Sequence, residues 1–101
     1  YRDGAAAEAA FNGPKGIAAG PGGDLFVVDT ENQAIRRIDL KSRTVTTMAG
    51  SGPAARGFGG DGGPALEARF DRPHGIAVDA RGVLHVGDTN NHRVRRLVLA
   101  P

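Results

Sequence analysis

Phe11 to Ile38 reads FNGPKGIAAGPGGDLFVVDTENQAIRRI, and Phe70 to Leu97 reads FDRPHGIAVDARGVLHVGDTNNHRVRRL. The offset between them is 59 throughout, without a gap, and 13 of the 28 columns are identical. A self-match of that length marks an internal structural repeat, which constrains the fold before any single residue does. Upstream of each copy a shorter match follows with one residue of slippage, DGAAAEAAF from Asp3 against DGGPALEARF from Asp61. The period therefore covers almost the whole chain.

Within one repeat the pattern is short strands and tight turns. Gly16 to Ala19 is a strand of small residues closed by Gly20-Pro21-Gly22-Gly23. Leu25 to Val28 is apolar throughout and runs into Asp29-Thr30-Glu31-Asn32, whose side chains bond their own backbone in turns. Ala34 to Leu40 is the third strand, and Lys41-Ser42-Arg43 reverses it into the β-branched stretch Thr44 to Met48. Successive strand side chains alternate, so Phe26 and Val28 point one way and Leu25 and Val27 the other. A sheet apolar on both faces needs a neighbour on each. Four-stranded antiparallel meanders stacked around an axis, the blades of a β-propeller, satisfy that demand. The small innermost strand, with Ala18, Ala19 and Ala77, fits the crowding near such an axis.

The motif P-x-G-I-A, a Gly-containing turn, then L-x-V-x-D-T-x-N-x-x-(I/V)-R-R stands at Pro14 to Arg37 and again at Pro73 to Arg96. It resembles the NHL-repeat β-propellers. The resemblance implies an all-β fold with two blades in this chain. The divisions expected are 1–10 as an inter-blade connection, 11–50 as the first blade, 51–69 as a Gly-rich inter-blade loop and 70–101 as the second blade. The second blade stops after its third strand, so its outer strand is missing, as the last blade of a longer ring would be. Two blades do not close a ring, since propellers use about four to eight.

Composition narrows the function. Forty per cent of residues are hydrophobic and 24% charged, the balance of a folded domain. No apolar run reaches the ~20 residues of a membrane helix. Without cysteine there is no disulfide framework, thiolate zinc site or cysteine nucleophile. Net charge is only +2, with basic and acidic residues interleaved rather than gathered in a stripe. The doublets Arg36-Arg37 and Arg95-Arg96 suggest RNA, as some proteins of the family bind it. Alternation sends the members of each doublet to opposite faces, and aromatic residues for base stacking are not clustered. The chain opens at Tyr1 without a basic-then-apolar leader and reads as a mature or excised fragment.

Strand direction puts the second-to-third-strand turns, the starts of the first strands and the long Gly50 to Pro73 connection at one end, the top. Binding concentrates on such loops. The expected ligand-facing residues are Lys15, Glu31, Asn32 and Gln33 from the first blade, with His74, Asn90, Asn91 and His92 from the second. Asp29 and Asp88, one per blade, are expected to receive hydrogen bonds from the turn that follows and from an arginine. Arg93 is the expected partner in the second blade, although Ala34 stands at its place in the first.

Gly57 to Gly62 spells G-x-G-x-x-G, but no buried parallel strand and long helix flank it, so it reads as a structural or partner-binding loop. The function expected is a non-enzymatic binding or scaffold module presenting its top to a protein, peptide or glycan, without a cofactor. Its other partners are the remaining blades of a longer chain or copies of itself. The alternative is a metal-dependent lyase or hydrolase, because Pro73-His74-Gly75-Ile76 resembles the setting of a metal-binding His in peptide-amidating lyases of similar fold. Lys15, the counterpart of His74, is no ligand. For blade packing, Leu25, Val27, Ile35, Leu84, Val86 and Val94 are expected between blades.

Overall fold

The computed structural model describes residues 1–50 and 52–99. Eight strands follow in chain order: β1 (Gly4–Ala5), β2 (Gly16–Ala19), β3 (Asp24–Asp29), β4 (Ala34–Asp39), β5 (Thr44–Ala49), β6 (Ile76–Val78), β7 (Leu84–Asp88) and β8 (Arg93–Leu97). Among the described residues there is no α-helix, only short 3₁₀ turns. Two antiparallel sheets result, in the orders β1-β5-β4-β3-β2 and β6-β7-β8. These are two propeller blades. The second carries three strands among the described residues, and Ala100 and Pro101, the end of the expected second-blade division, lie outside them.

The turns follow from their residues. Asp39 Oδ1 accepts the amides of Lys41 and Ser42, and Arg43, at φ 58°, closes the turn just before β5. In the second blade Asp79 Oδ1 accepts the amides of Arg81 and Val83 in the same manner. Residues before Phe11 go to the first blade rather than the second: Gly4 and Ala5 pair with Val45 and Thr44, adding a short fifth strand at its outer edge.

Register decides which side chains meet. Val28 lies opposite Ile35, and Ala49 opposite Ile35 on the other side, so these share a face of the first blade. Leu84 lies opposite Leu97 and Val86 opposite Ile76 on one face of the second. The two faces meet and form the core: Phe26, Val28, Ile35 and Ala49 against Phe70, Leu84, Val86 and Leu97. Ile35, Leu84 and Val86 are wholly buried there, as expected.

Three of the six expected residues lie outside the contact between these two blades. Leu25 and Val27 lie on the opposite face of the first blade, turned away from the second. They hold the places of Leu84 and Val86, and one inter-blade layer combines that face of one blade with the other face of its neighbour. Val94, the counterpart of Ile35, is 77% exposed, because no described residue packs on its side of the second blade.

Near the axis the blades touch through backbone. A Cβ on Gly16 would come within 2.3 Å of the His74 carbonyl oxygen. Its counterpart Gly75 has nothing within 4 Å, which places the crowding at the contact between blades and not within one.

Candidate functional site

Each blade is closed by a buried arginine. Asp29 ends β3 fully buried, and its carboxylate accepts the Asn12 amide at 2.7 Å, Asn32 Nδ2 at 2.8 Å and Arg36 Nη1 at 2.7 Å. Arg36, also fully buried, donates onward to the Ala10 carbonyl, the Arg2 carbonyl and Asp3 Oδ1. Its guanidinium lies 5.0 Å from the Tyr1 ring centroid and 4.8 Å from that of Phe11. The second blade repeats the arrangement. Asp88 accepts the Asp71 amide, Asn91 Nδ2 and Arg95 Nη1, and Arg95 continues to the Arg69 and Gly59 carbonyls and Asp61. Phe58 and Phe70 flank that guanidinium. Burying a charge this deeply is tolerable only when it is paired and hydrogen-bonded, as both are.

The partner of Asp88 is therefore Arg95 and not Arg93. Arg93 sits directly opposite Asp88 in the register, but at the rim, where it lies over the Phe58 ring and donates to the Asn91 carbonyl. Arg95, two residues deeper on the same face, reaches back along the sheet to the carboxylate. The first blade loses nothing by having Ala34. The sequence carried a signal for this: arginine is common to both copies at 36 and 95, whereas the column at 34 and 93 differs.

At the top, the turn Thr30–Asn32 is fastened to the second blade. Thr30 Oγ1 donates to the Pro73 carbonyl at 2.7 Å, Gln33 Oε1 accepts the Arg72 amide at 2.6 Å, and Glu31 meets the Arg72 guanidinium at 2.8 Å. Arg56 approaches the same carboxylate at 3.5 Å. The hydrogen bond from Arg72 holds the Glu31 carboxyl below its ordinary value. Gln33 is buried by this stitching and Asn32 beside it by its bond to Asp29, so neither is exposed on the expected ligand-facing rim. Arg72, Arg56 and Asp71 belong to the polar surface there and went unnoticed in the sequence, because they fall in or beside the connection.

The remaining expected residues lie at the same end. Lys15, Asn90 and His92 are exposed, Glu31 and Asn91 half-exposed. Asn91 is occupied by Asp88 and the Gly57 carbonyl. Gly57 also donates its amide to Phe70, and Gly59 bridges to Arg69, so the G-x-G-x-x-G stretch serves as a clasp on the second blade. His74 is half-buried, and its Nε2 has no hydrogen-bond partner among the described residues. No three His, Cys, Asp or Glu side chains among the described residues converge enough to share a metal. No helix there is long and apolar enough to cross a membrane.

The family model described as NHL repeat matches residues 11–38 and 70–97. The chain is 34% identical over 97 residues, 96% of its length, to the protein Suppressor of Quenching 1, chloroplastic, of Arabidopsis thaliana, of which it covers 9%. It is 47% identical over 76 residues, 74% of its length, to NHL repeat-containing protein 2 of Gallus gallus, of which it covers 10%. It thus spans about a tenth of these relatives. Among solved structures, an auxiliary nutrient binding protein from Bacteroides thetaiotaomicron superposes with a TM-score of 0.78 at 29% identity, over 100% of this chain and 26% of that one.

Proposed function

The chain belongs to the NHL repeat family, and on that premise we propose that it is a non-enzymatic binding module, two blades of a propeller that present their top to a protein, peptide or glycan. One observation carries the reading. The end of the blades where Lys15, Glu31, Asn90 and His92 lie exposed or half-exposed also receives the long connection between blades, while among the described residues the opposite end carries short turns, at 6–9, 20–23, 40–43 and 79–82. The carboxylates that could suggest acid–base chemistry, Asp29 and Asp88, are fully buried and fully engaged in holding their blades. Likeness to a protein named as nutrient binding supports a ligand-capturing role.

Peptide and glycan arrays probed with the chain test this. A ligand found there should lose most of its binding when Lys15, Asn90 and His92 are changed together to Ala. It should keep its binding when Lys41 and Arg81, in the turns at the other end, are changed. The reverse pattern would defeat the proposal.

A second reading rests on the orphaned Nε2 of His74 at the same end, which would suit one ligand of a metal shared with other blades. Metal analysis of a full ring containing this chain decides it. Absence of stoichiometric zinc, iron, calcium or magnesium removes it.

A further inference from the structure

At the junction between the blades, the residues of the backbone tie recur in both copies and the charged ones do not. Thr89 stands where Thr30 does, and Pro14 where Pro73 does. Asn90 and Gly13, by contrast, hold the places of Glu31 and Arg72. The repeat keeps the hydroxyl and the carbonyl of the tie and drops the ion pair, so blade docking does not account for the Glu31 and Arg72 charges. Glu31 Oε2 accepts Arg72 Nη2 at 2.8 Å and Nε at 3.1 Å, and its Oε1 lies 3.5 Å from Arg56 Nη2. A carboxylate is thus held between two guanidinium groups, with Lys15 near enough to act on it. Arg56 is the looser of the two arginines. Its side chain is 49% exposed, it comes no closer than 3.8 Å to Asp71, and it donates no hydrogen bond among the described residues.

We propose that this junction is a carboxylate-binding site for an acidic peptide, and that the Glu31 carboxylate competes with the peptide for it. The inference rests on the binding-module reading above and narrows the ligand from a protein, peptide or glycan to a segment rich in Asp or Glu. Arginine suits the task, because its planar fork takes a carboxylate through two parallel hydrogen bonds. Three cations, Lys15, Arg56 and Arg72, face two carboxylates, Glu31 and Asp71, so the junction keeps a positive excess. A glycan would be gripped differently. Sugars stack on aromatic ring faces, and each ring of this chain is buried or lies against an arginine: Phe26 and Phe70 in the core, Tyr1 and Phe11 on Arg36, Phe58 on Arg93 and Arg95. Charge is left as the means of recognition.

The probe is a labelled peptide of alternating Glu and Ser, titrated into the 101-residue chain beside its Gln–Ser counterpart and an oligogalacturonate. The Glu–Ser peptide should bind saturably and the Gln–Ser peptide should not, and the affinity should fall as salt rises, because the site is half-exposed. Arg56→Gln should weaken binding about tenfold, the contribution of one charge-assisted contact. Glu31→Gln should tighten it about tenfold by removing the competitor. Both variants should keep the strand content of the unaltered chain, since Arg56 holds no hydrogen bond among the described residues and Asn90 already puts an amide at the place of Glu31. Absence of binding by the Glu–Ser peptide overturns the proposal, as do equal binding of the Gln–Ser peptide, preference for the oligogalacturonate, or weaker or unchanged binding in Glu31→Gln. A ligand that needs Lys15, Asn90 and His92 yet is indifferent to Arg56 and Glu31 also overturns it and leaves the binding-module reading standing. That reading fails separately, if a ligand of the chain is indifferent to Lys15, Asn90 and His92.

Discussion

Arg36 Nη2 donates to Asp3 Oδ1 at 2.9 Å across 33 residues of sequence, and Arg95 repeats the bond to Asp61 at 2.7 Å. In both blades the same guanidinium also holds the buried aspartate that ends the second strand of the meander. One cation therefore ties three stretches: the connection before a blade, its second strand and its third. Ordering a connection has an entropic cost, and this arrangement offsets it by satisfying carbonyls of the connection at 2 and 10, or 59 and 69, with one side chain.

Removing Arg36 leaves the buried Asp29 carboxylate charged and without its cation. Arg36→Met should cost about 3–5 kcal/mol, read as a shift of the urea unfolding midpoint. Arg93→Met, at the rim, should cost well under 1 kcal/mol. Equal losses would show that the arginine register is misassigned.

Asp3 gives a pH dependence of known sign. Burial pushes its carboxyl up, but the Thr47 amide and hydroxyl and the Arg36 guanidinium together outweigh it and hold the group below its ordinary value. A carboxylate depressed on folding contributes stability that is full above its unfolded pKa and is lost as pH falls through the folded value. Stability should therefore decline as pH falls from about 4. Asp3→Asn should be less stable at neutral pH and flatter over that acid range. A variant that keeps the full acid slope would assign the slope to other carboxylates.

Packing between blades gives a third. Leu84 is wholly buried against the first blade, so Leu84→Ala should cost about 2–5 kcal/mol. Val94→Ala should change almost nothing. A loss below about half a kcal/mol at Leu84 would contradict the blade contact.

The repeat made the blades, their strands and their turns legible, because alternation and turn chemistry are local. It also located the ends at which Lys15, His74 and His92 emerge. What escaped was the reach of long side chains. Asp88 and Arg93 are directly opposite in the ladder, and sequence reasoning pairs neighbours, but an arginine spans two residues of strand, and burial favours the deeper one. The ties of Gln33 to Arg72 and Thr30 to Pro73 escaped for a related reason. They join a turn of one blade to the start of the next, and nothing in a repeat aligned on itself marks which turn residues face outward and which face the neighbouring copy.

The last prediction concerns assembly of the isolated chain. On the first blade, Phe11, Pro14, Ile17, Val27 and Ile38 line an open apolar hollow of about 350 Å³, and Ile17 is 61% exposed. That face is the counterpart of the one through which the second blade packs on the first. Its complement at the far end of the chain is the face bearing His85, Gly87 and Val94, which hold the places of Phe26, Val28 and Ile35. A surface at one end that matches a surface at the other makes a heterologous contact, which repeats until a ring closes. Exposed apolar area of this kind drives such association. The chain should therefore scatter light as a concentration-dependent multimer. Ile17→Lys should disperse it while leaving strand content unchanged, since Ile17 is 61% exposed on that outward face. The β8 edge takes no part in this contact, so its amides should still exchange freely in the multimer. A compact, cooperatively unfolding monomer of the unaltered chain would show that the hollow at Ile17 and the face at Val94 do not attract, and would defeat the prediction.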